Sequence, residues 1–267
     1  MRKDFFDTFV RNDKIITNDL NMKLRGLLVI FFLGLITLLH AQPFIDLETG
    51  FVTTGYNDVR IPGDQGTLFS LSEDLEAASS FFIRIKAGYK IRERHNLSVL
   101  YAPLSVKSDG YLPYDVSFAG AVFPADSALD AMYKFNSYRL TYRYDIVLRE
   151  KVEFGLGFTA KIRDAAITLK SPGYFAEKTN VGFVPVINFR LLLNMDERLS
   201  FLLEGDALAA PQGRAEDILF AAQYKLNDQA SMRAGYRLLE GGADNDEVYN
   251  FSMFNYASLG FTYTFNK

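Results

Sequence analysis

From residue 42 onward, hydrophobic and polar residues alternate with period two along almost every stretch, and no helical i, i+3, i+4, i+7 stripe of useful length interrupts them. Over 151–163, Val152, Phe154, Leu156, Phe158, Ala160 and Ile162 fall on one face, and Glu153, Gly155, Gly157, Thr159, Lys161 and Arg163 on the other. Near the end, Ala257, Leu259, Phe261, Tyr263 and Phe265 oppose Tyr256, Ser258, Gly260, Thr262 and Thr264. Extending this reading predicts ten strands, at about 44–55, 79–92, 95–107, 132–149, 151–168, 179–194, 198–209, 215–226, 229–241 and 248–266.

The connections alternate in length. Short polar turns are expected at 92–95, 149–151, 194–198 and 227–229, and longer links at 56–78, 108–131, 170–178, 210–214 and 242–247. An even strand number, with short turns on one side and longer loops on the other, predicts an all-β fold: a transmembrane antiparallel up-and-down β-barrel of ten strands, with eight or twelve as alternatives. A soluble β-sandwich has no reason for this asymmetry. Val116 to Phe123 reads either as a further strand or as an ordered part of the second long link. Aromatic residues fit two interfacial girdles. Tyr89, Tyr101, Tyr144, Phe154, Tyr224, Tyr236, Tyr263 and Phe265 lie toward the short turns or the C-terminus, and Phe51, Phe81, Tyr138, Phe183 and Phe251 toward the long links.

Ahead of the strands, Leu27 to Leu39 form an apolar run preceded by Lys23 and Arg25 and followed by Ala41, which reads as a secretory signal peptide cut after Ala41. A buried helix and a single anchoring helix are the alternatives. The polar stretch 1–21 before it suggests Met22 as the start. The chain thus divides into an N-terminal extension and signal peptide, 1–41, and a barrel domain, 42–267. Removing 1–41 takes away six basic and four acidic residues and leaves 226 residues with net charge −5. The chain has no Cys, which excludes a disulfide framework, a thiolate metal site, a cysteine nucleophile and lipid attachment through an N-terminal cysteine. A mean hydropathy of zero with 49% hydrophobic residues fits a barrel and excludes a bundle of membrane helices. Mild acidity argues against nucleic acid as a partner.

The segment Ser258-Leu259-Gly260-Phe261-Thr262-Tyr263-Thr264-Phe265 resembles the C-terminal β-signal of outer-membrane proteins, with Gly260, Tyr263 and Phe265 at its defining positions. Asn266 and Lys267 follow where that signal normally ends. With the export signal and the strand pattern, the chain resembles small outer-membrane barrels of Gram-negative bacteria, and the Ala41-Gln42 junction has a Bacteroidetes character. Segments 134–140, 155–164 and 205–213 resemble an uncharacterised barrel family that brings no activity with it. The resemblance implies residence in the bacterial outer membrane, with lipid and lipopolysaccharide as surroundings and the barrel-assembly machinery as a partner during insertion.

If the apolar faces meet lipid, the opposite faces place Asp46, Glu48, Arg84, Lys86, Arg139, Arg143, Asp145, Glu153, Lys161, Arg163, Arg190, Glu204, Asp206, Lys225, Arg233 and Arg237 in the lumen. A ten-stranded barrel is narrow, and unpaired buried charge is costly, so these residues are expected to form an ion-pair network that plugs the lumen. The alternative is a narrow pore with a slight cationic excess. Glu204 and Asp206 are expected to pair with Arg233 and Arg237 on a neighbouring strand. After the signal peptide the only histidine is His95, in a short turn, so no Ser-His or Asp-His catalytic set is expected. The acidic loop 241–247 lacks the glycine and distant glutamate of an EF-hand, and 60–67 lacks a P-loop lysine and a following helix, so both read as turns.

The sequence therefore predicts a non-enzymatic outer-membrane barrel without cofactor or metal, with a structural, adhesive or surface-interaction role carried by five long links. The rival is a small channel, or a carrier for solutes or apolar ligands. A lateral opening near the small residues Ala207, Ala209 and Ala210 would favour that rival.

Overall fold

The computed structural model describes residues 41–210 and 213–265; the expected signal peptide and the alternative start at Met22 lie outside them. Fifteen strands are present: β1 (Ala41–Arg60), β2 (Phe69–Ser70), β3 (Glu76–Ala77), β4 (Ser80–Ile91), β5 (His95–Ala102), β6 (Ser105–Tyr111), β7 (Val116–Phe118), β8 (Ala121–Phe123), β9 (Ala128–Arg149), β10 (Val152–Ser171), β11 (Tyr174–Asn194), β12 (Leu199–Ala210), β13 (Gly213–Lys225), β14 (Ala230–Asp244) and β15 (Tyr249–Thr264). Ten of them close a ring in the order β9, β10, β11, β12, β13, β14, β15, β1, β4, β5 and back to β9. Each neighbour follows the previous strand in the chain except where β1 meets β15 and where short pieces are inserted between β1 and β4 and between β5 and β9. The up-and-down antiparallel barrel read from the sequence is the observed fold.

The period-two pattern sorts the wall. Exposed apolar side chains point outward from all ten barrel strands: Leu47, Ile83, Val99, Leu140, Phe158, Ile187, Phe201, Phe220, Met232 and Leu259 take one strand each. A belt of this kind, continuous around the circumference, is far larger than the apolar patches water-soluble proteins expose, and it matches the lipid-facing band of a membrane barrel. Aromatic pairs reinforce it. Phe51 and Phe81 meet edge to face at 6.0 Å, and Tyr101 stacks on Tyr138 at 5.2 Å. Tyr101 and Tyr138 are also register partners, so Tyr101 belongs at the height of the outer group and not in the girdle near the short turns.

The strands run further from the short turns than the sequence indicates. The link expected at 170–178 is instead a tight hairpin: Ser171 pairs with Tyr174 around Pro172-Gly173, and Gly173 takes a φ of 80° that few other residues tolerate. Ala210 likewise pairs with Gly213, and Asp244 with Tyr249. Polar residues on the outward register, Lys170 and Glu177, interrupt the apolar face there and give the segment the look of a loop. Only two excursions remain long, 61–79 and 112–127. The second holds the hairpin of β7 and β8, which forms a separate two-stranded sheet and adds nothing to the barrel wall.

Pro103 interrupts one wall strand without disturbing its register. Ala102 pairs with Ser137 and Ser105 with Lys134, so β5 and β6 continue a single ladder against β9, with a gap where proline cannot donate. The ladder between β11 and β12 behaves differently. It ends at Ile187 and Ala207 although β11 runs on to Tyr174. Pro185 lies two residues past the last pair and has no N–H to offer, a position proline occupies on edge strands.

Candidate functional site

The interior has three layers, described from the short-turn end. The first is a water-accessible vestibule of about 280 Å³ lined by residues including Phe44, Lys90, Asn96, Arg143 and Gln223.

The second is a layer of charge in which four arginines and four carboxylates converge. Asp217 on β13 accepts from Arg84 Nη2 at 2.9 Å, Arg139 Nη2 at 2.5 Å and Arg237 Nη1 at 2.5 Å. Glu48 accepts from Arg237 Nε and Nη2, both at 2.7 Å, from Arg233 Nη2 at 3.1 Å and from Ser258 Oγ at 2.9 Å. Asp46 takes both terminal nitrogens of Arg233, at 2.5 and 2.9 Å, and the Thr262 hydroxyl. Asp206 accepts from Arg139 Nη1 at 2.6 Å, Thr159 Oγ1 at 2.7 Å and Asn188 Nδ2 at 2.8 Å. All eight charged side chains are buried. Their equal numbers and the added hydroxyl and amide donors meet the condition under which charge can be held away from water. Around this centre lie Lys86 with Glu204 at 3.1 Å, Arg190 with Glu153 at 3.2 Å and Arg143 with Asp145 at 3.2 Å.

Three expectations need correcting. Glu204 and Asp206 do not pair with Arg233 and Arg237: they engage Lys86 and Arg139, which reach across the lumen, while Arg233 and Arg237 turn to Asp46, Glu48 and Asp217. Among the described residues, Lys161 and Arg163 are not joined to a carboxylate. The Lys161 ammonium sits 4.9 Å over the Phe135 ring, and Arg163 Nη2 donates to Asn180 Oδ1 at 2.5 Å. Lys225 leaves the lumen altogether and pairs with Asp228 in the adjoining turn at 2.7 Å. The hub of the layer, Asp217, is the residue the alternation missed. Its inward neighbours on β13, Leu219 and Ala221, are apolar and buried, so that strand shows no clean polar face. The signal that could have found it is charge alone, an acid in phase with Gln223.

Gly260 of the resemblance to a β-signal is buried beneath Arg233. Tyr263 and Phe265 meet edge to face at 4.9 Å near the strand's end.

The third layer is apolar. Val52, Phe82, Leu129, Tyr133, Leu169, Leu239, Phe254 and Tyr256 from the wall pack with Ile61, Phe69, Leu71, Leu75, Leu112, Val116, Phe118 and Phe123 from the two excursions. The excursions are stitched together where Thr67 N donates to Ser117 O and Ser117 N to Thr67 Oγ1, both at 2.9 Å, and where Phe69 meets Phe118 edge to face at 6.2 Å. Each buried aromatic here contributes about 1.5–3 kcal/mol of transfer free energy.

The remaining candidate features are structural. His95 faces outward between Tyr142, whose hydroxyl lies 2.8 Å from Nδ1, and Tyr144. In the acidic loop, Asn245 Oδ1 accepts from the N–H groups of Glu247 and Val248 at 3.0 Å, a turn-forming role, and the loop at 61–66 docks on it through Gly63 N and Asp246 O at 2.9 Å. In the turn after β11 the N–H groups of Leu199 and Arg198 hold the Asp196 carboxyl below its ordinary range. Among the described residues no group of side chains is arranged to hold a metal ion.

No protein-family model matches the chain, and no curated protein matches it. Several solved structures are similar in shape. The attachment invasion locus protein Ail of Yersinia pestis, in complex with sucrose octasulfate, is 10% identical, over 84% of this chain and 99% of that one, with a TM-score of 0.39. Neisserial surface protein A is 16% identical over 84% and 99% of the two chains, with a TM-score of 0.35. The outer membrane protease OmpT of Escherichia coli is 10% identical over 84% and 97%, with a TM-score of 0.49. An attachment protein, a surface protein and a protease stand together in this group, and likeness at this level says nothing of activity.

Proposed function

We propose that this chain is an integral protein of the bacterial outer membrane, without enzymatic activity, whose lumen is closed to solutes and whose folded outer cap carries a structural or surface-interaction role. The apolar belt on all ten strands, set against an interior of paired charge, supports the membrane reading, because only a closed barrel satisfies its backbone hydrogen bonds in lipid. Lipid and lipopolysaccharide are its surroundings, and the barrel-assembly machinery its partner during insertion. The outward position of His95, away from any carboxylate pair, supports the non-enzymatic reading.

The observation that carries the closed-lumen reading is the packing of Phe69, Phe118 and Phe123 inside the wall against Leu169 and Phe254, directly beyond the charge layer. A solute would have to displace a packed apolar core and a compensated ion network in succession. The surface role falls to one cap built by the two excursions, and not to five separate loops. The test is electrical: purified barrel in planar bilayers is expected to show no stable single-channel steps, and large reproducible steps would refute the closed lumen.

A further inference from the structure

The vestibule of about 280 Å³ adjoins a wider space of about 590 Å³ between the short turns, with which it shares Glu153, Arg190, Gln223 and Thr262, so solutes reach it from that end. Across its wall one inward row runs from Lys90 on β4 through Asn96 on β5 and Arg143 on β9 to Gly157 on β10. One step nearer the turns the row is Asp145, Gly155 and Arg190. The two glycines leave this stretch of β10 without side chains. A Cβ on Gly155 would stand 2.9 Å from Arg143 Cδ, so Arg143 lies across β10 toward Arg190 on β11.

The nearby acids answer these cations only in part. Arg143 Nε donates to Asp145 Oδ1 at 3.2 Å, and Arg190 Nη1 to Glu153 Oε2 at 3.2 Å. Asp145 also accepts from Asn96 Nδ2 at 2.9 Å, and Glu204 is taken by Lys86 at 3.1 Å. Among the described residues, the terminal nitrogens of Arg143 and the Nε and Nη2 of Arg190 meet no protein acceptor, and Lys90 pairs with no carboxylate. Seven cations and seven carboxylates line the vestibule, but Asp206 and Asp217 also serve Arg139 from behind it, which leaves the balance positive.

We propose that the vestibule binds a phosphate group, held by Lys90 and by the remaining N–H groups of Arg143 and Arg190. Asp145 and Glu153 keep the nitrogens they already hold. A tetrahedral oxyanion presents oxygens in several directions and so reaches donors from β4, β9 and β11 together, which the two coplanar oxygens of a carboxylate do not. Guanidinium forks match such oxygens, and an anion between neighbouring cations relieves their repulsion. The inference rests on the membrane-barrel reading above and not on the closed lumen, since a blind pocket and an open one bind alike at equilibrium.

The test uses the full barrel folded in an uncharged detergent at low salt, with folding established separately by the heat-dependent gel shift. Calorimetric titration with inorganic phosphate is expected to show saturable binding of one ion per barrel. Lys90→Gln carries the test, because Lys90 has no ion pair to break among the described residues. It is expected to weaken binding about tenfold, within the range for one charge-assisted hydrogen bond. Lys107→Gln, which removes an equal charge from an exposed position on β6, is expected to leave binding unchanged. Tighter binding of glycerol phosphate would identify a phosphomonoester as the source of the group, and weaker binding the free ion. Non-saturable uptake, wild-type affinity in Lys90→Gln, equal weakening by Lys107→Gln, or acetate binding as tightly as phosphate would each overturn the proposal.

Discussion

Arg233 reaches Asp46 by lying across Gly260: its Nη1 is 2.5 Å from Asp46 Oδ2, and a Cβ on Gly260 would stand 2.4 Å from its Cζ. Gly260 therefore has a role in the folded barrel itself. It clears the path by which a β14 arginine bridges β15 to an acid on β1.

That relationship can be separated from assembly by refolding the protein into lipid vesicles without other proteins. Gly260→Ala is expected to displace Arg233 and destabilise the barrel. In an Arg233→Met background the same change is expected to cost much less, with a coupling of about 1–3 kcal/mol between the two sites. Urea unfolding of the four proteins measures it, and additive effects would show that Gly260 does not clear the path of Arg233.

Asp217 receives three arginines, so Asp217→Ala leaves three buried guanidinium groups short of an acceptor. A loss of about 3–5 kcal/mol is expected in the same unfolding titration. Lys161 pairs with no carboxylate among the described residues, and Lys161→Met is expected to be neutral or stabilising. An equal loss in both variants would mean that the network's pairing does not govern stability.

Phe118 is buried among apolar side chains from wall and excursions. Phe118→Ala is expected to lower stability by about 3–5 kcal/mol while leaving conductance at baseline, because the charge layer below the cap stays intact. Stable channel steps in this variant would place the whole barrier in the cap.

Gly173 ends the hairpin of β10 and β11 at a φ of 80°. Gly173→Val is expected to lower the melting temperature through about 1–2 kcal/mol of backbone strain, whereas Gly173→Asn, a residue that tolerates the left-handed region, is expected to be milder. Identical melting of the two variants would argue against a strained turn.

Much of this architecture is written locally. Alternation along Val152 to Ile162 and Ala257 to Phe265 fixes which side chains face outward, because successive residues of a strand point to opposite sides whatever it pairs with. The short turns and the even strand number follow from the same local signals. Legibility ends where the inward face stops being polar, at Leu219 and Ala221 beside Asp217, and where the outward face stops being apolar, at Lys170 and Glu177.

The sequence alone thus determined strand number, sidedness and most of the inward charges, Asp217 and Lys225 apart, all properties that neighbouring residues impose on one another. The tertiary structure decided which charges meet, that two excursions fold inward as an apolar core, and that the ladder stops at Ile187 and Ala207. Those outcomes depend on the closure and register of the ring, which bring Arg139 to Asp217 and Lys178 to Glu247 from distant parts of the chain. Partner choice across a lumen is set by three-dimensional distance, and no one-dimensional pattern records it.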